Sequence, residues 1–206
     1  MKYLCEGLVA VVLGASLLWG NPAGAATFTE LEPNDSIATA QFLNSSDSTI
    51  NVIGTKNNTT FQGTPPNDTA DYYSFFAAAG DLFDVETSVL QALGSSNRDT
   101  ILALYDPQGG LVQFDDDSGV DASSLISAFL IQNSGTYFVA VSGFGDPGDP
   151  LNGGNGIFTG GGDSNFRYQL QIRRVPEPAT LLGLCVLGGW GTASRFKNKQ
   201  RRNLHV

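Results

Sequence analysis

Between Phe166 and Arg173 the chain alternates without a break: Phe166, Tyr168, Leu170 and Ile172 are apolar, and Arg167, Gln169, Gln171 and Arg173 are polar. Successive side chains of an extended strand point to opposite faces, so this stretch has one wet face and one dry face that another layer must cover. A helix has no use for such a pattern, because its faces repeat every ~3.6 residues. The same period recurs at Phe83, Val85, Thr87 and Val89, with Asp84, Glu86 and Ser88 between them, and again at Tyr137, Val139 and Val141. Residues 72–77, 101–105, 111–114 and 125–131 read as further strands, and residues 50–53 as an early one. Only residues 36–43 hint at a helix, with Ser36 as its cap.

Turn residues punctuate these strands. Ala79-Gly80-Asp81 separates two of them, Asp106-Pro107-Gln108-Gly109-Gly110 reads as a tight hairpin, and Asn133-Ser134-Gly135 as another. The expected fold class is therefore all-β, an antiparallel jelly-roll-like β-sandwich of about eight strands. Two stretches read as loops. Residues 44–67 are rich in Ser, Thr and Asn. Residues 143–163 are Gly-rich and read as a long hairpin loop; their Gly153-Gly154-Asn155-Gly156 only partly resembles calcium-binding glycine–aspartate repeats, with no tandem array.

Both ends read as targeting segments. Residues 1–26 carry Lys2, an apolar stretch from Leu8 to Trp19 and the small-residue run Ala23-Gly24-Ala25-Ala26, the layout of a cleaved signal peptide. The apolar stretch is too short to span about 30 Å of hydrocarbon. Residues 175–206 begin Val175-Pro176-Glu177-Pro178 and continue with an apolar run from Ala179 to Ala193, then Arg195, Lys197, Lys199, Arg201 and Arg202. As a helix that run would reach only ~22 Å, enough to pause in a membrane with its basic end on the cytoplasmic side but a poor permanent anchor. Residues 27–174 are left as one domain of ordinary size.

Charge and inventory narrow the function. From Thr27 to Pro178 there are nineteen of the chain's twenty acids against five bases, a net charge of −14. Such a surface repels nucleic acid and favours cations. Cys5, Cys185 and His205 all fall in the end segments, so the central domain has no disulfide, no thiol and no imidazole. Ser–His and Cys–His catalysis are excluded there, and no acid stands apart as a tuned glycosidase carboxyl. The domain reads as non-enzymatic. For an exported protein without disulfides, a metal ion is a natural staple.

The sharpest candidate for that staple is Glu30-Leu31-Glu32-Pro33-Asn34-Asp35. Pro33 biases Glu32 to an extended conformation, which would set Glu30, Glu32 and Asn34 on one face beside Asp35, a hard-oxygen surface suited to calcium. Asp68 and Asp71, just ahead of a strand, are placed to complete the shell; the alternative is a solvated acidic linker. Asp115-Asp116-Asp117 reads as an Asp-rich turn ending at Gly119, because consecutive strand residues face opposite ways and cannot all converge.

Residues 30–172 resemble the bacterial pre-peptidase C-terminal domain. The resemblance is carried in order by Glu32-Pro33-Asn34-Asp35, Asp71-Tyr72-Tyr73-Ser74-Phe75, residues 100–110 with Phe114-Asp115-Asp116-Asp117-Ser118-Gly119, Gly135-Thr136-Tyr137-Phe138-Val139-Ala140-Val141 and Tyr168-Gln169-Leu170. It implies a jelly-roll-like sandwich without catalytic residues and, from collagen-binding relatives, calcium held by Glu30, Glu32, Asn34, Asp35, Asp68 and Asp71. No protease domain precedes this copy, so the expectation is a role of its own rather than help to a protease in the same chain. The tail resembles a PEP-CTERM sorting signal, with Val175, Pro176, Glu177 and Pro178 as its motif. That implies recognition by an exosortase, a membrane-tethered precursor, and delivery to the cell surface or exopolysaccharide matrix. The expected role is structural or adhesive. The rival is a carbohydrate- or protein-binding module with Tyr72, Phe76, Phe138 and Phe144 as its aromatic platform.

Overall fold

The computed structural model describes residues 24–58, 69–94 and 96–176; most of the two end segments, with Asp68, Glu177 and Pro178, lie outside them. Among the described residues, ten strands form two five-stranded sheets. They are β1 Ala25–Thr29, β2 Gln41–Phe42, β3 Thr49–Lys56, β4 Asp71–Ala77, β5 Leu82–Ala92, β6 Thr100–Tyr105, β7 Leu111–Asp115, β8 Leu125–Leu130, β9 Gly135–Gly143 and β10 Phe166–Val175. Sheet A runs β1-β3-β10-β5-β8 and sheet B runs β2-β4-β9-β6-β7.

The chain changes sheet at every described connection but one. Only β6 and β7 form a hairpin, across Asp106–Gly110, where the Asp106 carboxylate accepts from Gln108 N and Gly110 N. Asn133-Ser134-Gly135 is therefore not a hairpin turn: it carries the chain from β8 in sheet A to β9 in sheet B. Residues 143–163 likewise cross from β9 to β10 instead of closing a hairpin. Alternation reports which face of a strand is dry, and two strands facing each other across a core share that pattern with two that are hydrogen-bonded.

The sandwich is antiparallel except at two edges, where β1 runs parallel to β3 and β2 parallel to β4. Both edge strands escaped the sequence pattern. β1 buries little, and its Ala25 and Ala26 belong to the small-residue run of the leader. Residues 36–43 give a 3₁₀ turn, Ile37–Thr39, and then β2 rather than a longer helix. Residues 49–56, expected within a loop apart from 50–53, are a full strand with every second residue buried.

The main core lies between the sheets. The dry faces of β10 (Phe166, Tyr168, Leu170, Ile172), β3 and β5 pack against Tyr73, Phe75, Leu102, Leu104, Val139 and Val141 of sheet B. A second, smaller core covers the outer face of sheet B, where Tyr72, Ile101, Ala103, Tyr105 and Ala140 pack beneath Phe158 of the β9–β10 crossing. This double cover explains why every residue of β6 is buried.

Asp146 fixes the crossing. Its buried carboxylate accepts from Ser142 Oγ (2.7 Å), Gly148 N (2.8 Å), Thr159 N (3.1 Å) and Gly160 N (2.6 Å). The glycines are steric: a Cβ on Gly148 would lie 1.9 Å from Ile157 O, and Gly160 sits at φ +73° with its Cβ position 2.1 Å from Thr69 Cβ. Lys56 Nζ, fully buried, donates to Gly162 O and Ser164 O at the far end of the same crossing.

Candidate metal centre

Four segments meet at one end of the main core. β1 ends at Thr29, and Glu30 N continues its ladder by donating to Ile53 O. The Glu30 side chain then turns inward: Oε2 accepts from Thr55 N (2.8 Å) and Oε1 from Tyr73 Oη (2.8 Å). The chain next folds over itself. Asn34 N donates to Glu32 Oε2 (3.1 Å), Asn34 O accepts from Tyr72 N (2.8 Å), and Asn34 is completely buried. Asp71, the first residue of β4 and also completely buried, accepts from Tyr168 Oη at 2.5 Å.

One carboxylate oxygen each of Glu30, Glu32 and Asp71 lies within 4.8 Å of the others. The Asn34 amide points into the same group, with Nδ2 3.4 Å from Glu30 Oε1; turned over, the amide nitrogen lies 3.2 Å from both Glu32 oxygens. These residues do not converge as a flat strand face, as the sequence suggests, because the strand has already ended at Thr29; a turn closed by Glu32 gathers them. Asp35 takes another partner, accepting from Thr69 Oγ1 (3.0 Å). Asp68 lies outside the described residues, as do Glu177 and Pro178 of the tail motif. Val175 ends β10 and Pro176 follows it.

The hydrogens of this array can be counted. Asp71 Oδ2, Tyr168 Oη, Tyr73 Oη and Glu30 Oε1 form a chain of contacts of 2.5, 2.7 and 2.8 Å. Burial, and after it the charge of Asp71, pushes both phenols well above their usual range, so each keeps its one hydrogen. The two phenols thus bring one hydrogen each to this row of oxygens. The carboxylates and the amide gathered here are the donor set of a hard divalent cation. The residues fit calcium on this chemistry.

A second acidic group brings Asp99, not singled out in the sequence, to Asp116 and Asp117, again with one oxygen of each within 4.8 Å. The hairpin register explains it. Leu102 pairs with Asp115, so the residues just before β6 lie beside those just after β7. Burial first, then the charges of Asp117, Asp99, Asp149 and Asp115, push the Asp116 carboxyl up to about 6. Asp115 serves the turn itself, accepting from Ser118 N (3.1 Å) and Leu125 N (2.7 Å).

The expected aromatic platform is not assembled as a unit. Tyr72 is buried, with its hydroxyl donating to Phe158 O (3.0 Å) beneath the crossing. Phe76 and Phe144 are exposed and Phe138 half-buried. Phe42, not singled out in the sequence, pairs with Ser74 on one side while Phe138 pairs with it on the other, so Phe42, Phe76 and Phe138 share the outer face of sheet B.

A model of the bacterial pre-peptidase C-terminal domain family matches residues 69–143, from just before β4 to the end of β9. The match includes Asp71 and the second acidic group but stops short of Glu30 and Glu32 at one end and β10 at the other. No curated protein matches the chain. Among solved structures, the pre-peptidase C-terminal domain of a collagenase from Bacillus anthracis aligns with 75% of this chain and 99% of its own, at 15% identity and a TM-score of 0.37. PliG of Salmonella Typhimurium, a periplasmic inhibitor of g-type lysozyme, aligns with 66% of this chain and 100% of its own, at 15% identity and a TM-score of 0.32.

Proposed function

We propose that this chain is an exported, non-catalytic β-sandwich protein stabilised by calcium, with a structural or adhesive role at the cell surface or in the exopolysaccharide matrix. An exosortase-type enzyme acting on the segment from Val175 onward would deliver it there. The observation that carries the metal reading is the convergence of one carboxylate oxygen each from Glu30, Glu32 and Asp71. A cation there would join the segment after β1 to the start of β4, and so tie sheet A to sheet B. Export rests on the leader and tail patterns. It is supported by the match of residues 69–143 to a domain found in extracellular proteins. The lack of histidine and cysteine between residues 27 and 174 supports a non-catalytic role.

Chelation tests the metal reading. Calcium at about a hundred times its dissociation constant stabilises the folded state by about 2.7 kcal/mol. For a domain of this size that raises the melting temperature by roughly 5–10 °C. EDTA should remove this increment, and Glu32→Ala, an exposed ligand, should abolish it. Identical melting curves in calcium and EDTA would refute the reading. A second reading, a glycan- or protein-binding module, is favoured by the exposed Phe42 and Phe76 on one sheet face; saturable glycan binding lost in Phe76→Ala would establish it.

A further inference from the structure

The two phenols at the candidate metal centre grip its carboxylates crosswise. Tyr168 stands on β10 of sheet A and donates to Asp71 on β4 of sheet B. Tyr73 stands on β4 of sheet B and donates to Glu30, whose main chain is bonded to Ile53 of sheet A. Each carboxylate is thus held by a hydroxyl from the opposite sheet, and the two hydroxyls touch at 2.7 Å. Both rings are wholly buried in the main core, so neither hydroxyl can move without repacking it. The fold also reserves space for one of them: Gly54 pairs with Tyr168 across the β3–β10 ladder, and a Cβ on Gly54 would lie 2.6 Å from Tyr168 Oη.

We propose that Tyr73 and Tyr168 are positioning residues for a divalent cation, their hydroxyls fixing Glu30 and Asp71 at the separation at which both can ligate it. This rests on the calcium reading above. Hydrogen bonds from fixed protein donors hold a carboxylate in one orientation. Here Glu30 is held by Thr55 N and Tyr73 Oη, and Asp71 by Tyr168 Oη. The phenols also make the site sensitive to sheet separation, because they and the carboxylates bridge the same gap.

The test compares Tyr73→Phe, Tyr168→Phe and Gly54→Ala with the unaltered protein. The first two delete only a hydroxyl and keep the ring; the third crowds Tyr168 Oη. Calcium chloride is titrated calorimetrically, and melting is followed in calcium and in EDTA. Groups that orient metal ligands typically change affinity by about 10- to 100-fold when lost, and that weakening is expected in each variant. The melting temperature in EDTA should fall by less than the calcium-dependent increment does. Thr87→Val serves as a control, since Thr87 belongs to a separate buried hydroxyl network with Thr100 and Ser124. It should lower melting equally in both buffers and leave affinity unchanged. If the Phe variants behave like that control, the two phenols are merely structural and the proposal is overturned while the calcium reading stands. If the unaltered protein takes up no calcium, both fall.

Discussion

Asp146→Ala should unlock the β9–β10 crossing. The Asp146 side chain is 1% exposed and gathers Ser142 Oγ and three main-chain amides, Gly148 N, Thr159 N and Gly160 N. Truncation leaves those amides without an acceptor, two of them fully buried. Each buried donor left unmade costs about 1–3 kcal/mol. The donors share one acceptor, so their losses do not add in full, and water admitted to the gap recovers part. The net loss should be about 3–5 kcal/mol, a large share of the 5–15 kcal/mol typical of a domain. Urea unfolding at pH 7 measures it, and hydrogen exchange should show the amides of residues 148, 159 and 160 losing protection before the sheets open. Asp146→Asn, which keeps one acceptor oxygen, should fall between. Added calcium should raise the stability of Asp146→Ala and of the unaltered protein by the same increment and leave the difference between them unchanged, because this carboxylate is filled by protein donors. A loss below about 1 kcal/mol, or unchanged protection, would refute the idea that Asp146 fixes the crossing.

Two further outcomes follow from the same geometry. Phe158→Ala removes the ring that caps the outer face of sheet B, stacked edge-on to Phe114 at 6.2 Å; it should cost about 3 kcal/mol, the low end for such a truncation because the crossing can settle into the gap, with exchange rising on the outer face of β6. Asp116 has its carboxyl raised to about 6 by burial and neighbouring charge, so its contribution is fully present below the unfolded value near 4 and is lost as pH rises through 6. Asp116→Asn should therefore stabilise the protein at pH 8 by about 1 kcal/mol, discounted for its partial exposure, and have no such effect at pH 3.5; equal effects at both pH values would contradict this.

The strands with strong alternation, β5, β9 and β10, were legible because each has one face in the main core. β4 and β6 were legible as largely apolar runs, and the reason both their faces carry apolar residues, a second core under Phe158, was not: it depends on a crossing whose glycines and Asp146 act only once folded. β1 and β2 were illegible because the alanines of β1 read as part of the leader and β2 is only two residues long. At the candidate metal centre, Glu30, Glu32, Asn34 and Asp71, which the structure brings together, were singled out as acid-rich segments flanking a proline and a strand. Tyr73 and Tyr168 were hidden, since a tyrosine in an alternating strand reads as core packing and nothing local tells that its hydroxyl meets a carboxylate. Asp99 is recoverable in principle by counting outward from the hairpin at Asp106–Gly110.

The account stands or falls on whether a cation ties the two sheets together. A crystal structure grown with calcium chloride answers this most directly. The prediction is an ion with oxygens of Glu30, Glu32 and Asp71 at about 2.3–2.6 Å and six to eight ligands in all. Well-ordered density for these three carboxylates with no ion among them, at millimolar calcium, would contradict it.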